Sequence, residues 1–376
     1  LSLIFISFFS LNKEKSFQDA IIFLRLLLIP VGCYFIFFKN YKILNYLFFI
    51  IFLTVIFVSV DTLYQFLNYN SEKGFGSDIF GFKSDWYGRL TGPFGNELVP
   101  GSYVSKFGLI GFVYLLKYKK LYKNIPVLSI YLSMILIVTF ISGERMAFAT
   151  FTLGLLVLLF FLNKKRLTIL VSLIIGLLSI FLIYKLHPFY NDFKVIDSTE
   201  YHQGLKIEKS FPCPDNDNEI CKKILNIQPN FFKVIKNFST SAYGEIYLLS
   251  LKMFKENFIT GIGISNFQYA CKNFQKYKTV MINYNCASHP HNIYLQWLAE
   301  GGLIIFSFFI IYLFYLSKHI IKNKGNYEYK LISLTTIVIM FWPIMSTGSL
   351  IKNWYGILTF FIIGICLSIS NFRKNY

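Results

Sequence analysis

Residues 167–186 read LTILVSLIIGLLSIFLIYKL, an apolar stretch whose one charged side chain, Lys185, lies close to its end. About 20 such residues are needed for a helix to cross the hydrocarbon core of a bilayer. Stretches of similar length and character cover 43–60 and 125–142. These stretches predict helices that cross a membrane.

The composition of the 376-residue chain supports this interpretation. Hydrophobic residues make up 55% of it, charged residues 15%, and the mean hydropathy is +0.52. Soluble domains carry about 25% charged residues, so this chain cannot cover a water-facing surface with polar side chains. We therefore predict an all-α fold, a polytopic membrane helix bundle. The predicted spans lie near 1–12, 20–38, 43–60, 99–116, 125–142, 146–162, 167–186, 291–317, 331–348 and 354–371.

The net charge of +18 is concentrated in the short connectors between alternate spans. Examples are Lys117–Lys123, Lys164–Arg166 and Lys318–Lys330, and ten spans place all of these connectors on one side. The positive-inside rule assigns that side to the cytoplasm. The charge is therefore a topology signal rather than an indication of nucleic-acid binding. The chain begins at Leu1 inside an apolar run, so we expect a truncated N-terminus, and no cleavable signal peptide is recognisable.

The predicted topology divides the chain into three regions. Residues 1–186 form the N-terminal part of the bundle with an outer loop at 61–98, residues 187–290 a long periplasmic segment, and residues 291–376 the C-terminal part. The inner connectors are short, so any active site should face the periplasm from a bacterial inner membrane. The lipid bilayer is then the first partner.

Four of the six cysteines, Cys213, Cys221, Cys271 and Cys286, fall in the periplasmic segment. An even number on one side favours disulfides in an oxidising compartment. We expect the local pairs Cys213–Cys221 and Cys271–Cys286, with four free thiols as the alternative. All four are treated as structural residues.

Arginine is rare in this chain, and two of the five arginines are predicted on the outer face. Arg145 ends the tight connection Ser142–Arg145, where its guanidinium could hold a phosphate by two parallel hydrogen bonds. An ion pair with Glu144 is the alternative. Arg89 opens a Gly- and Pro-rich loop, RLTGPFGNE, and has either a substrate-binding or a structural role. Arg25 lies within the second span and is interpreted as a side chain that reaches the interface.

The sequence SHPHN at 288–292 enters the eighth span. A neutral imidazole can take a proton from a hydroxyl near neutral pH, so His291 and His289 are candidate catalytic bases, with interfacial histidines as the alternative. Pro290 favours the start of a helix, which would place His291 in its first turn. Zinc would need a third ligand, and none is evident nearby, so we expect no metal.

Glu300 follows about 13 Å deeper in the same predicted helix and faces away from His291. A carboxylate at that depth needs a partner, and Gln296, one turn earlier, is the predicted one. A break at Gly301-Gly302 would change this geometry. Upstream, the GIGISNF stretch at 261–267 follows no βαβ pattern and is interpreted as a turn rather than a nucleotide loop.

Four motifs together resemble the O-antigen ligase and polymerase superfamily: HPHN followed by YLQxLxExG, the Gly261-Ile-Gly263 stretch, Ser142–Arg145 and RLTGPFGN. The resemblance implies a membrane-embedded, metal-independent glycosyltransferase without a cofactor. Its donor would be a glycan on a polyprenyl-pyrophosphate carrier, and its acceptor a sugar hydroxyl of a glycan or glycolipid.

Family roles carried over from the resemblance make His291 the essential histidine and Arg145 a pyrophosphate ligand. Asn292 is included as a substrate-binding candidate beside the histidines. Many members have a further arginine before the Gly-x-Gly stretch, where this chain has only Lys252 nearby. Lys252 and Arg89 are therefore the candidate substitutes. Both ligase and polymerase products fit, and the competing class is a non-enzymatic transporter or flippase of polyprenyl-linked glycans.

Overall fold

The computed structural model describes the chain except for residues 71–73, 85–87, 192–193, 196–208, 214–215, 224–235, 237 and 373–376. The described residues are mainly helical. The helices are α1 Ser2–Ser7, α2 Lys13–Lys39, α3 Tyr41–Leu67, α4 Pro100–Lys117, α5 Lys119–Tyr122, α6 Ile125–Ile141, α7 Arg145–Phe161, α8 Arg166–Leu186, α9 Pro188–Asn191, α10 Ala242–Glu256, α11 Phe267–Asn273, α12 Gln275–Lys278, α13 Ile293–Lys322, α14 Tyr327–Met340 and α15 Asn353–Ile369.

A small antiparallel sheet accompanies the helices. Its strands are β1 Lys194–Val195, β2 Lys209–Cys213 and β3 Asn216–Lys223, in the order β1-β3-β2. The mainly helical architecture confirms the predicted class, but the sequence did not predict this sheet. The reason is that β3 reads NDNEICKK, which lacks the apolar alternation of a half-buried strand.

Four of the described helices are long and apolar enough to cross a membrane: α2, α3, α8 and α13. The helices α6, α7 and α15 are apolar but shorter. The chain is thus a multi-pass membrane protein.

Two predicted spans were wrong in extent. The span predicted at 1–12 is helical only over α1, which ends at Ser7. The span predicted at 331–348 ends at Met340, and Pro343 follows in a non-helical loop at 341–352. That loop proves important for the histidines.

By internal contacts, the chain forms two compact units, residues 1–44 with 231–376 and residues 45–230. The first unit contains the histidine motif and the second contains Arg89 and Arg145. The division at 186 and 290 expected from the sequence follows membrane sides rather than packing, and it stays a prediction.

Candidate active site

The histidine motif ends one residue before α13 begins. Asn292 caps this helix, because its side chain accepts a hydrogen bond from the Leu295 N–H at 3.0 Å. His291 lies before the cap in the left-handed region, with φ at 54°. The prediction that Pro290 starts the helix and places His291 in its first turn was therefore wrong. Asn292 is the stronger start signal, because its side chain satisfies an N–H that would otherwise lack a partner.

The loop at 341–352 holds the motif from the other side. The Asn292 amide donates to the carbonyl oxygens of Pro343 at 2.7 Å and Met345 at 3.2 Å. The Thr347 N–H donates to the His291 carbonyl at 2.8 Å. These bonds stabilise the left-handed conformation of His291, which is unusual for a residue with a Cβ.

The two imidazoles lie together, with ring centroids 4.0 Å apart, but their hydrogen bonding differs. His289 is engaged at both nitrogens: Nδ1 lies 2.9 Å from the Ser288 hydroxyl, and Nε2 lies 3.3 Å from the Thr347 carbonyl. Because a carbonyl only accepts, Nε2 carries the proton in this arrangement. Within the described residues, no hydrogen bond engages the His291 ring, which packs edge-on against Tyr243 at 5.8 Å.

Both imidazoles are held neutral. Burial, the neighbouring His291 and the positive charge of Lys352 lower the pKa of His289 to about 4. Burial also lowers the pKa of His291 below its usual value. At neutral pH, each ring therefore keeps a nitrogen lone pair, and that of His291 is not used by a described protein group.

Glu300 lies one helical turn beyond Gln296 and is buried, with 1% of its surface exposed. The Gln296 amide donates to Glu300 Oε2 at 3.0 Å and to the Ser349 hydroxyl at 2.7 Å, which confirms the predicted partner. The other carboxylate oxygen accepts the Phe267 N–H at 3.2 Å, at the beginning of α11. Glu300 thereby ties α13 to α11, and Gln296 ties α13 to the loop at 341–352.

The helix α13 is broken at Gly302, which has φ at 61° and ψ at −165°. The segment 258–263 fills the break: Ile262 and Gly263 donate to the carbonyls of Ala299 and Glu300, and Leu303 donates to Phe258. A Cβ on Gly302 would lie 2.3 Å from the Ile259 oxygen. The Gly261-Ile-Gly263 stretch is therefore a turn, as predicted, and its role is to satisfy the interrupted helix.

The disulfide Cys271–Cys286 is present, which confirms one of the two predicted pairs. It joins the end of α11 to the segment that leads into the histidines. Cys213 and Cys221 lie in β2 and β3, but their side chains are outside the described part of the structure. That pair stays a prediction.

In the other unit, the turn Ser142–Arg145 packs against the beginning of α4. The Glu144 carboxylate accepts hydrogen bonds from the Ser102 N–H at 3.1 Å and from the Ser102 hydroxyl. Gly101 permits this approach, since a Cβ there would lie 2.3 Å from the Ser142 hydroxyl. Arg145 is the first residue of α7 and is half-buried.

The Arg89 loop is attached to the same turn through its backbone. The Leu90 N–H donates to the Ser142 carbonyl at 3.2 Å, and the Arg89 guanidinium donates to the Leu98 carbonyl at 3.2 Å. Gln65 also holds this loop, because its amide oxygen accepts the N–H groups of Thr91 and Gly92 at 3.0 Å. Arg89 thus has a structural contact within its own loop.

Lys252 is half-buried on α10, and its ammonium donates to the Lys276 carbonyl at 2.6 Å. No described contact links it to the histidines. As for metals, the described residues contain no group of three or more His, Cys, Asp or Glu side chains that could hold an ion.

Sequence reasoning missed three residues that position these motifs: Thr347, Ser349 and Gln65. The first two could have been found, because Pro343 and Gly348 are turn signals inside an apolar run. Gln65 had no such signal, because it lies in the last turns of an apolar helix and its loop partner is 26 residues away.

Residues 130–310 match the family model described as O-antigen ligase. No curated protein matches the chain. The matched segment contains the Ser142–Arg145 turn, the Gly261-Ile-Gly263 turn and the histidine motif, but it includes neither the Arg89 loop nor the loop at 341–352. The match covers just under half of the chain and supports the resemblance to the O-antigen ligase and polymerase superfamily that its motifs predicted.

Proposed function

We propose that this protein is a glycosyltransferase that moves a glycan from a polyprenyl-pyrophosphate carrier to a sugar hydroxyl on the periplasmic face of the bacterial inner membrane. The acceptor is a glycan or glycolipid, so the product is a ligated glycolipid or a longer polymer. The similarity of residues 130–310 to the O-antigen ligase family model supports a glycosyltransferase-like reaction with lipid-linked partners.

The observation that carries this proposal is the His291 ring, which is neutral, half-buried and without a hydrogen bond among the described residues. In the proposed reaction, the acceptor hydroxyl attacks the anomeric carbon of the donor glycan. Its proton passes to the free nitrogen of His291, and the bond between that carbon and the phosphate oxygen breaks. The electron pair leaves with the polyprenyl pyrophosphate.

The second imidazole has a supporting role in this scheme. His289 already uses both nitrogens, so it orients the motif rather than taking the proton. Asn292 fixes the backbone beside the base and therefore acts on the substrate indirectly, through the position of His291. Both assignments are part of the proposal.

Arg145 is proposed as the ligand of the leaving pyrophosphate. A guanidinium can form two parallel hydrogen bonds to phosphate oxygens, and it supplies positive charge where negative charge develops. Glu144 accepts hydrogen bonds from Ser102, which fixes the turn that carries Arg145. The reaction is proposed to need no metal.

The test is transfer by the purified protein in liposomes that contain a polyprenyl-pyrophosphate glycan and an acceptor glycolipid. We expect glycosidic bond formation that continues in the presence of EDTA and stops in His291→Ala. Movement of the intact donor across the bilayer without bond formation would contradict this proposal and favour the transporter class.

A further inference from the structure

A cavity of about 310 Å³ lies beside Arg25 and Lys352, two cations that the proposed reaction has not yet used. Its remaining lining residues are Asp19, Ile22, Ile351 and Asn353. The Arg25 guanidinium donates to the Asn353 side-chain oxygen at 2.5 Å, which holds it at the cavity. Two cations and one carboxylate leave a net positive charge of one. The volume is within the range of roughly 300–1,000 Å³ typical of small-ligand sites.

The packing of α2 against α15 shows at which depth of the membrane this cavity lies. It lies where the apolar helix α15 begins. Leu26 contacts Gly356 and Pro30 contacts Gly364, so the two helices run parallel. Helix α15 begins at Asn353 beside Arg25, whereas α2 begins about 18 Å earlier at Lys13. In the predicted topology, this level is the outer interface of the membrane, where the phosphates of lipids lie.

The cavity is also connected to the histidine motif. Lys352 ends the loop at 341–352, its N–H donates to the Ser349 carbonyl at 3.1 Å, and its charge acts on His289. The same loop binds His289 and His291 through Thr347. A ligand held at Lys352 would therefore lie next to the segment that fixes both imidazoles.

Below Arg25, one face of α2 provides an apolar path into the bilayer. Leu28, Gly32 and Phe35 follow Arg25 at helical spacing, and the Leu28 and Phe35 side chains are 69% and 54% exposed. A Cβ at Gly32 would meet no atom within 4 Å, so the middle of this face is open. An isoprenoid chain is apolar and long enough to follow such a face, and a headgroup at Arg25 would be its continuation.

We infer that Arg25 and Lys352 bind the pyrophosphate of the polyprenyl carrier, with the isoprenoid chain along the Leu28–Gly32–Phe35 face. The inference rests on the proposed function, and it assigns to Arg25 and Lys352 the phosphate contact for which Lys252 and Arg89 were the sequence candidates. Arg25 is then more than a side chain that reaches the interface. The Asp19 carboxylate repels the pyrophosphate and therefore lowers the affinity of the cavity for it.

The test measures binding of inorganic pyrophosphate and of farnesyl pyrophosphate to the full chain in detergent by titration calorimetry. Lys352→Gln and Arg25→Gln should each weaken pyrophosphate binding about tenfold, since each removes a charge-assisted contact. Asp19→Asn should strengthen it. Lys13→Gln, on the same helix but outside the cavity, is the matched control and should bind as wild type.

The folded state is checked by thermal unfolding without ligand, and the exposed Lys352 side chain makes Lys352→Gln the safest variant. Wild-type pyrophosphate affinity in both Lys352→Gln and Arg25→Gln would overturn the inference. Gly32→Leu should weaken farnesyl pyrophosphate but leave inorganic pyrophosphate unchanged, and an equal effect on both would contradict the isoprenoid path.

Two further measurements distinguish an ordinary phospholipid from the polyprenyl carrier, and distinguish failure of the cavity assignment from failure of the proposed reaction. Phosphatidylglycerol that displaces farnesyl pyrophosphate at equal concentration would make the cavity a general phospholipid site and overturn the assignment to the carrier. If pyrophosphate binding depends on Arg25 and Lys352 but no transfer occurs, the cavity stands and the proposed reaction fails. If wild type transfers glycan and both variants keep its KM for the donor, the reaction stands and the cavity assignment fails.

Discussion

Glu144 and Glu300 are buried carboxylates, one in each unit, and each accepts a backbone N–H at the beginning of a helix. Glu144 accepts the Ser102 N–H at the beginning of α4, and Glu300 accepts the Phe267 N–H at the beginning of α11. Their surroundings differ, because the cations Arg89 and Lys106 act on Glu144, whereas Glu300 is bound by the neutral amide of Gln296.

This difference matches the proposed division of the chemistry. A turn that must hold an anion tolerates several cations if a buried carboxylate offsets part of their charge. A motif that must keep an imidazole neutral is better served by neutral hydrogen bonds, because a nearby carboxylate would favour the charged imidazolium. The glutamates therefore support the helices, and their partners set the electrostatics of each site.

The sharpest test of this comparison is the histidine motif. His291→Ala should reduce transfer at least a hundredfold, because general-base assistance is typically worth about 10² to 10⁴ in rate. Donor binding should survive, and His289→Ala should be milder. The control is His319→Ala, at the other end of α13. If His289→Ala is the more damaging variant, the two roles are exchanged, and near-normal transfer in both would remove the proposed base.

The second-largest effect is expected from the arginine turn, Ser142–Arg145. Arg145→Lys keeps the charge but loses the bidentate geometry, so we expect transfer to fall about tenfold or more with normal membrane insertion. Arg166→Lys changes the same residue type at the beginning of α8 and should transfer normally. Equal transfer by wild type and Arg145→Lys would mean that Arg145 contributes only its positive charge and not two parallel hydrogen bonds.

A pair of glycines tests whether the break in α13 depends on contact or on backbone conformation. Gly302 and Gly95 have nearly equal φ values, 61° and 63°, but a Cβ would collide with Ile259 only at Gly302 and would meet no atom within 4 Å at Gly95. Gly302→Ala should therefore cost about 1–3 kcal/mol more than Gly95→Ala in thermal unfolding. Equal losses would show that positive φ alone accounts for both.

Much of this architecture was predictable from local signals. The apolar helices, the Glu300–Gln296 pair and the Cys271–Cys286 disulfide follow from periodicity, helical spacing and cysteine placement. The loop at 341–352 was not predicted, since its first residues continue the apolar run of α14 and the turn signals Pro343 and Gly348 were read as part of a span.

The contact between segment 258–263 and the break at Gly302 was also beyond sequence reasoning. It consists of backbone hydrogen bonds, which carry no residue identity beyond the glycines that permit the approach. The left-handed conformation of His291 likewise depends on Thr347, 56 positions later in the chain. Both features need the tertiary structure.

The smallest expected effect is the dependence of stability on pH. The folded-state pKa of His289 is about 4, whereas a histidine in an unfolded chain titrates near 6.5. As the pH falls below about 6.5, the unfolded state takes up a proton that folded His289 does not bind, so the free energy of unfolding decreases. The lowered pKa of His291 acts in the same direction.

Between pH 7 and pH 5, this loss should be about 1 kcal/mol for His289 after allowance for its partial exposure. Thermal unfolding in detergent across this range measures it. His289→Asn should flatten the pH dependence, and the double variant with His291→Asn should flatten it further. The loss of transfer by wild type on acidification should begin at a lower pH than for an ordinary histidine, because burial lowers the pKa of His291. A pH dependence of unfolding in His289→Asn equal to that of wild type would mean that this imidazole is not desolvated, and the contrast between a neutral histidine motif and a cationic arginine turn would lose its electrostatic basis.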